Sequence, residues 1–381
     1  MHLADRMAAA VAPYHGLVTA EIPPGTTLFD VHTHLGLDID GMVGDPEELS
    51  AIQAAWGVVR SFVFCLDEPD RVPAFRAAND RTLAHAAASG GALIPFVRLD
   101  LADGPIEEAT RCLDLGARGI KLHPRAQAFL AHDPRLEPVF ELAADRRVPI
   151  LIHGGRGLPP IADDLGRLHA RYGGTLIVAH AGIVDLEAMA RNFAGVPGVL
   201  FDTSVLSVLD LLDLYRLVPP EQVVYASDYP YGRQPQSLLL AIRAARMSGL
   251  DDDGVRAMLG GIAAAVADGR ELPAPTRPVG PAAISVPVTL ARIHQYLTMA
   301  SGLLWARQVG DSYGVLGLAL NACDEQADGH RETLDRIRAL LLLVREAWEG
   351  LGAYDPDARL PHVRQAFRLL QLANTLALTD G

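Results

Sequence analysis

LFDVHTHLG, residues 28–36, is a short apolar run that ends in two histidines two positions apart. Side chains at i and i+2 of a strand project to one face, so His32 and His34 point the same way. Seven further runs of this kind follow: VVRSFVFCL (58–66), ALIPFVRL (92–99), GIKLH (119–123), PILIH (149–153), LIVAH (176–180), VLFDTS (199–204) and VVYAS (223–227). Helical patterns separate them. Near-continuous apolar strands alternating with amphipathic helices require a parallel sheet covered by helices. Eight such units match a (β/α)8 barrel, although an open doubly wound sheet reads the same strand by strand.

The polar residues at the strand ends separate the two topologies. His123, His153 and His180 end the fourth, fifth and sixth runs, and Asp228 follows the eighth. In an open sheet, strands 1, 5 and 8 need not approach one another. A closed barrel sets strand 8 beside strand 1 with strand 5 opposite, gathering these side chains on the face where barrels carry their chemistry. The sequence therefore predicts a (β/α)8 TIM-type barrel over residues 28–271, preceded by an N-terminal extension, 1–27. Residues 272–287, LPAPTRPVGPAAISVP, are too proline-rich for a helix and read as a linker.

Beyond the linker, residues 288–381 carry four apolar series at three-and-four spacing. These are Leu290, Ile293, Leu297, Ala300 and Leu304; Tyr313, Leu316, Leu320 and Cys323; Leu334, Ile337, Leu341, Val344 and Trp348; and Val363, Phe367, Leu370, Asn374 and Ala377. They predict a small all-helical C-terminal domain packed as a bundle, with surplus apolar face that points to a homodimer.

Composition excludes several classes. A net charge of −13 with no basic run argues against a nucleic-acid partner. No apolar run approaches the ~18–20 residues a bilayer span needs, so no membrane association is expected. The stretch MAAAV behind Arg6 is too short for a signal peptide, and Met1–Val11 reads as an amphipathic helix. Three scattered cysteines, Cys65, Cys112 and Cys323, fit reduced core thiols and a cytoplasmic location.

Three imidazoles and a carboxylate suit one divalent ion, zinc being the expected one, with room for a water. Gly154, Gly155 and Gly182 behind the histidines permit tight turns and close substrate approach. The ordered set H-x-H, K-L-H-P, I-H, A-H-A-G and S-D-Y-P resembles the amidohydrolase superfamily. Within it, the chain is similar to the branch that includes aminocarboxymuconate-semialdehyde decarboxylase and small metal-dependent lactonases. The resemblance covers roughly residues 28–266 and implies that His32, His34, His153 and Asp228 bind one metal, with His180 beside its water. Where many relatives read L-G-G-N-A-A-R, this chain has Ile262 and Ala265 in place of the Asn and Arg.

Lys121 and His123 share a face of the fourth strand. In a binuclear amidohydrolase a carboxylated lysine there bridges two ions; the reading preferred here has Lys121 deeper, paired with a carboxylate, and His123 lining the pocket. Asp228 can accept a proton from water and return it to a leaving group, and His180 can orient the water or stabilise an oxyanion. Such machinery hydrolyses a small amide, lactone or ester; alternatives are decarboxylation of an unsaturated acid and a non-catalytic barrel scaffold. Arg98, Arg125, Arg156 and Arg233 at strand ends favour a small carboxylate substrate, with Arg98 and Arg125 the leading candidates and Tyr229 and Tyr231 flanking the pocket.

Overall fold

The computed structural model describes residues 2–39, 41–280, 283–305, 308–325, 329–349 and 360–380. Two compact units emerge: Ile22–Ser237 with Ala245–Pro281, and Met1–Glu21 with Leu238–Ala244 and Ala282–Gly381.

The first unit contains β1 (Leu28–Leu37), β2 (Val43–Gly44), β3 (Val58–Cys65), β4 (Leu93–Pro95), β5 (Val97–Arg98), β6 (Ile120–Leu122), β7 (Ile150–His153), β8 (Leu176–Ala179), β9 (Val199–Asp202) and β10 (Val223–Val224). All pair in parallel except β2, a short hairpin arm antiparallel to the end of β1. Helices intervene between successive staves. β4 and β5 are one stave that changes partner at Phe96. The Phe96 amide donates to Val63 on β3 at 2.8 Å, and the Val97 amide donates to Gly119 before β6 at 2.9 Å. That leaves eight staves.

Closure joins β1 to the residues in and after β10. The Val31 amide donates to the Tyr225 carbonyl (3.2 Å), the Asp228 amide to His32 (2.9 Å) and the His34 amide to Tyr229 (2.7 Å), around a parallel bridge between Thr33 and Tyr229. The sheet is therefore a closed (β/α)8 barrel.

An irregularity in β1 positions the histidines. Asp30 pairs with Ser61 and Thr33 with Val63, so β1 spends three residues where β3 spends two. This bulge reverses the alternation of faces. Phe29 and Val31 point into the barrel core, and so do His32 and His34. Phe29 meets Phe62 edge-on at 4.8 Å, while both histidine rings lie against Phe64, at 5.2 and 4.5 Å. Phe62 also packs on Phe96 at 4.6 Å.

The interior divides along its axis. Phe29, Val31, Phe62, Phe64, Leu151, Ile177, Leu200 and Val224 form one apolar cluster with Ile262 and Ala263. Ile262 thus spends its side chain on core packing. The turn before it, Ala257–Gly261, is wound as a π-helix, and the Met258 carbonyl accepts the Tyr225 amide at 2.9 Å.

The second unit contains helices Val288–Trp305, Val309–Cys323, Arg331–Glu349 and Leu360–Thr379. Their buried residues, including Leu290, Ile293, Leu297, Leu316, Leu320, Leu334, Ile337, Leu341, Val344, Leu370 and Ala377, follow the predicted series. Val363 belongs to that spacing but lies outside the described side chains. The N-terminal helix Leu3–Val11 joins this unit through buried Met7 and an Arg6–Glu346 ion pair of 2.7 Å. Arg243 donates to Glu21 at 2.7 Å and to Thr379 at 2.8 Å.

Adjacent glycines provide a test of the packing beneath β1. A Cβ on Gly260 would stand 1.8 Å from the Thr27 carbonyl oxygen, whereas the nearest atom to one on Gly261 is 3.6 Å away. Gly260→Ala is expected to cost about 1–3 kcal/mol or more, and Gly261→Ala to leave stability unchanged or slightly raised. Thermal unfolding of the two variants checks this; equal melting temperatures contradict the packing.

Candidate metal centre

Six buried polar side chains meet at the C-terminal end of the barrel. His32 and His34 leave β1, Lys121 lies in β6, His180 follows β8, Asp202 ends β9 and Asp228 follows β10. His32 Nε2 lies 3.1 Å from His34 Nε2 and 3.1 Å from Asp228 Oδ1, and His34 Nε2 is 3.2 Å from the same oxygen. His32, His180 and Asp228 each offer one ligand atom within 4.8 Å of the others. His153 adjoins them, with Nδ1 3.1 Å from His180 Nε2 and its ring stacked 4.0 Å from that of His123. The Lys121 ammonium lies 3.3 Å from His32 Nε2 and 4.5 Å from the Phe64 ring centre.

The turns that present these groups are strained. Asp228 has φ +61°, His180 +56° and Ala181 +53°, left-handed values that non-glycine residues adopt at a cost of roughly 1 kcal/mol or more each. Behind them the chain needs its glycine: a Cβ on Gly155 would fall 2.7 Å from His153 Cε1 and 3.0 Å from His180 Cδ2.

Burial sets the protonation states. It holds His32, His34, His123 and His153 well below the ordinary histidine range, and neighbouring Lys121 adds to the effect. His180 is also lowered by burial, against the opposing pull of Asp202. Burial raises the Asp228 carboxyl well above its usual range despite Lys121, and lowers the Lys121 ammonium to about 7. The rings are thus neutral, and each carries one lone pair.

This donor set fits a divalent cation. His32 Nδ1 is 2.7 Å from Asp202 Oδ2 and donates to it, which leaves the Nε2 lone pair facing His34 Nε2 and Asp228 Oδ1. His32 Nε2, His34 Nε2 and Asp228 Oδ1 lie 3.1–3.2 Å from one another, close enough to converge on one cation. Imidazole nitrogens with one carboxylate are the ligands borderline divalent ions take. In addition, His153 Nε2 is buried without a hydrogen-bond partner.

The structure does not bring every residue singled out in the sequence to this point. Arg98 is buried; Nη1 donates to the Cys65 carbonyl at 3.1 Å and the guanidinium lies 5.1 Å over the Phe75 ring. Among the described residues no carboxylate stands within ion-pair distance of Arg98, or of Lys121, for which a carboxylate partner was anticipated. His123 is half-buried beside His153, and Arg125 is exposed, reaching toward Gly157 after β7. Tyr229 lies in a core cluster with Leu35, Leu49 and Val63, its hydroxyl donating to Glu48 at 2.8 Å rather than facing the histidines. Tyr231 is the aromatic beside the site, its ring edge-on to His34 at 6.0 Å. Arg156 pairs with Asp210 at 3.2 Å, and Arg233 with Glu48.

Sequence reasoning passed over two residues, Asp202 and Ser204. The available signal was an acid closing the apolar run VLFDTS at the strand end where the other site residues stand.

A solved structure of an amidohydrolase II superposes with a TM-score of 0.51 at 20% identity, covering 64% of this chain and 100% of that one. A probable 2-pyrone-4,6-dicarboxylic acid hydrolase from Acinetobacter baumannii, with citric acid bound, gives 0.49 at 12% identity, covering 64% and 99%. A putative 2-pyrone-4,6-dicarboxylic acid hydrolase from Pseudomonas putida gives 0.47 at 17% identity, covering 64% and 98%. These likenesses concern the fold. No curated protein matches the chain. The family model described as amidohydrolase matches residues 29–266, the whole barrel with its polar cluster, and the chain therefore belongs to the amidohydrolase family.

Proposed function

We propose that this protein is a metal-dependent hydrolase acting on a small, carboxylate-bearing amide, lactone or ester. The observation that carries the reading is the convergence of neutral histidine nitrogens on the Asp228 carboxylate at the barrel mouth. In this reading His32, His34, His153 and Asp228 hold one divalent ion, zinc. Such an ion lowers the pKa of water toward neutrality and polarises a carbonyl.

The chain's own groups supply the remainder. Asp228 takes the proton of the attacking water and returns it to the leaving group. His180 presents Nε2 to the same space, where its lone pair accepts from the water and holds it in line. Arg98 is a buried cation without a carboxylate partner, and a substrate carboxylate supplies one. His123 and Arg125 border the substrate, while Tyr229, whose hydroxyl is tied to Glu48, stands away from it.

Three buried, unpaired thiols support a reducing, cytoplasmic setting. The described helices include none long and apolar enough to cross a membrane. Val288, Met299 and Leu318 are exposed on the helical unit by 82%, 55% and 48%, which supports a homodimer formed there.

Metal analysis of the purified protein should find about one zinc per chain, with His32→Ala and His34→Ala removing it. Asp228→Asn should lower kcat by roughly 10²–10⁴-fold in a screen over lactones, N-acyl amino acids and unsaturated acids. His180→Ala should lose turnover while keeping metal; loss of metal instead would make His180 a ligand. Carbon dioxide release without hydrolysis would turn the reading to a decarboxylase.

Arg98→Met should reduce kcat/KM for acidic substrates by about 10²–10³-fold, the loss that follows from a buried charge left unpaired, and spare neutral analogues. Equal effects on both would remove the carboxylate assignment. Light scattering should report a dimer that Met299→Glu with Leu318→Glu converts to a monomer; a monomeric parent protein would refute the assembly role.

A further inference from the structure

We propose that Asp202 and Ser204 are positioning residues that fix the tautomers of both His32 and His180, turning the Nε2 lone pair of each ring toward the cluster. The argument follows hydrogen positions forced by chemistry. Asp202 sits at the end of β9, fully buried, and receives four contacts. Oδ1 accepts from the His180 backbone amide at 2.7 Å, the Ser204 amide at 3.0 Å and Ser204 Oγ at 2.6 Å. Oδ2 faces His32 Nδ1 at 2.7 Å.

Two of those partners are backbone N–H groups, which only donate. Three donors converge on Oδ1, more than its two lone-pair sites hold unless the carboxyl is ionised, which leaves Oδ2 an acceptor toward His32. His32 Nδ1 therefore carries the hydrogen, and a neutral ring then has its lone pair on Nε2.

The second histidine is set through Ser204. Its hydroxyl proton is committed to Asp202, so toward His180 Nδ1, at 2.9 Å, Oγ accepts. The Ser204 carbonyl lies 3.3 Å from the same nitrogen and can only accept as well. His180 Nδ1 thus carries the hydrogen and its Nε2 is bare. The same Oδ1 pins the His180 amide in its left-handed turn, so one carboxylate fixes both the backbone and the proton of this residue.

The consequence for the ion rests on the metal reading above; the tautomer assignment does not. Partners of this type fix ligand orientation, and their loss costs about 10–100-fold in metal affinity.

The test is 15N NMR of the histidine rings in metal-free protein, paired with zinc affinity measured by chelator competition. The result expected is Nδ1-protonated His32 and His180 in the parent chain. Ser204→Ala removes the shorter of the two acceptors and leaves only the carbonyl at 3.3 Å, so it should shift His180 alone toward the Nε2-protonated tautomer, and Ser204→Thr, which keeps the hydroxyl, should restore the parent state. Asp202→Asn should release both rings and weaken zinc about 10–100-fold. An Nε2-protonated His32 or His180 in the parent, or unchanged tautomers in both Ser204→Ala and Asp202→Asn, would overturn the proposal. Correct tautomers in a chain that binds no zinc would sink the metal reading and leave this assignment standing. If Asp202→Asn does not fold, Ser204→Ala against Ser204→Thr still decides.

Discussion

The seam between β1 and the chain leaving β10 governs the rest of this molecule. His32 and His34 belong to the first stave and Asp228 to the last, nearly two hundred residues later, and only lateral closure makes them neighbours. The seam is narrow: three backbone hydrogen bonds and one bridge span Val31–His34 and Tyr225–Tyr229. Asp30 reinforces it, its Oδ1 accepting from the Ser227 amide at 2.9 Å and the His32 amide at 3.2 Å. Burial pushes the Asp30 carboxyl up to about 6, so the seam spends stability on a buried acid whose hydrogen bonds hold the strand that carries the site.

Closure alone would not suffice if β1 kept a strict alternation. Phe29 and Val31 fill the barrel core, and on a regular strand His32 and His34 would then face the surrounding helices. The bulge between Asp30 and Thr33 turns them inward. Below it the interior is aromatic and aliphatic; above it the interior is imidazole, ammonium and carboxylate. Phe64 stands at the border, touching both histidines and Lys121.

Much of this was legible in the chain because apolar runs and strand-end histidines are local signals. LFDVH, PILIH and LIVAH announce strands by composition and place a histidine at the end of each. What escaped were features that depend on partners distant in sequence. The bulge exists only relative to β3, and ALIPFVRL reads as one strand although its halves pair with different neighbours. The N-terminal helix Leu3–Val11 read as an extension without a partner because its Arg6 pairs with Glu346, far along the chain. Asp202 was hidden because an acid closing a strand also reads as a turn residue, and only the ring nitrogen of His32 opposite gives it a task. Tyr229 follows Asp228 in sequence, yet beyond the left-handed turn at Asp228 its ring packs with Leu35, Leu49 and Val63.

The energetics argue against a structural purpose for the cluster. Buried ionic groups are often no more stabilising than apolar residues of similar volume, and here neutral rings, a raised carboxyl and a lysine brought to about 7 crowd one end of a core that is otherwise Phe, Ile, Leu and Val. Left-handed backbone at Asp228 and His180 adds strain just where the polar groups converge. A barrel selected for stability would continue the apolar layer to the mouth. Two buried cations, Lys121 and Arg98, have no carboxylate within ion-pair distance among the described residues, while Asp202 already has four donors and Asp228 faces the histidines. Charge is held at close quarters rather than paired off, with Asp228 and Asp202 acting on Lys121, and Asp67 and Glu68 on Arg98, and that cost is concentrated at one end of the barrel.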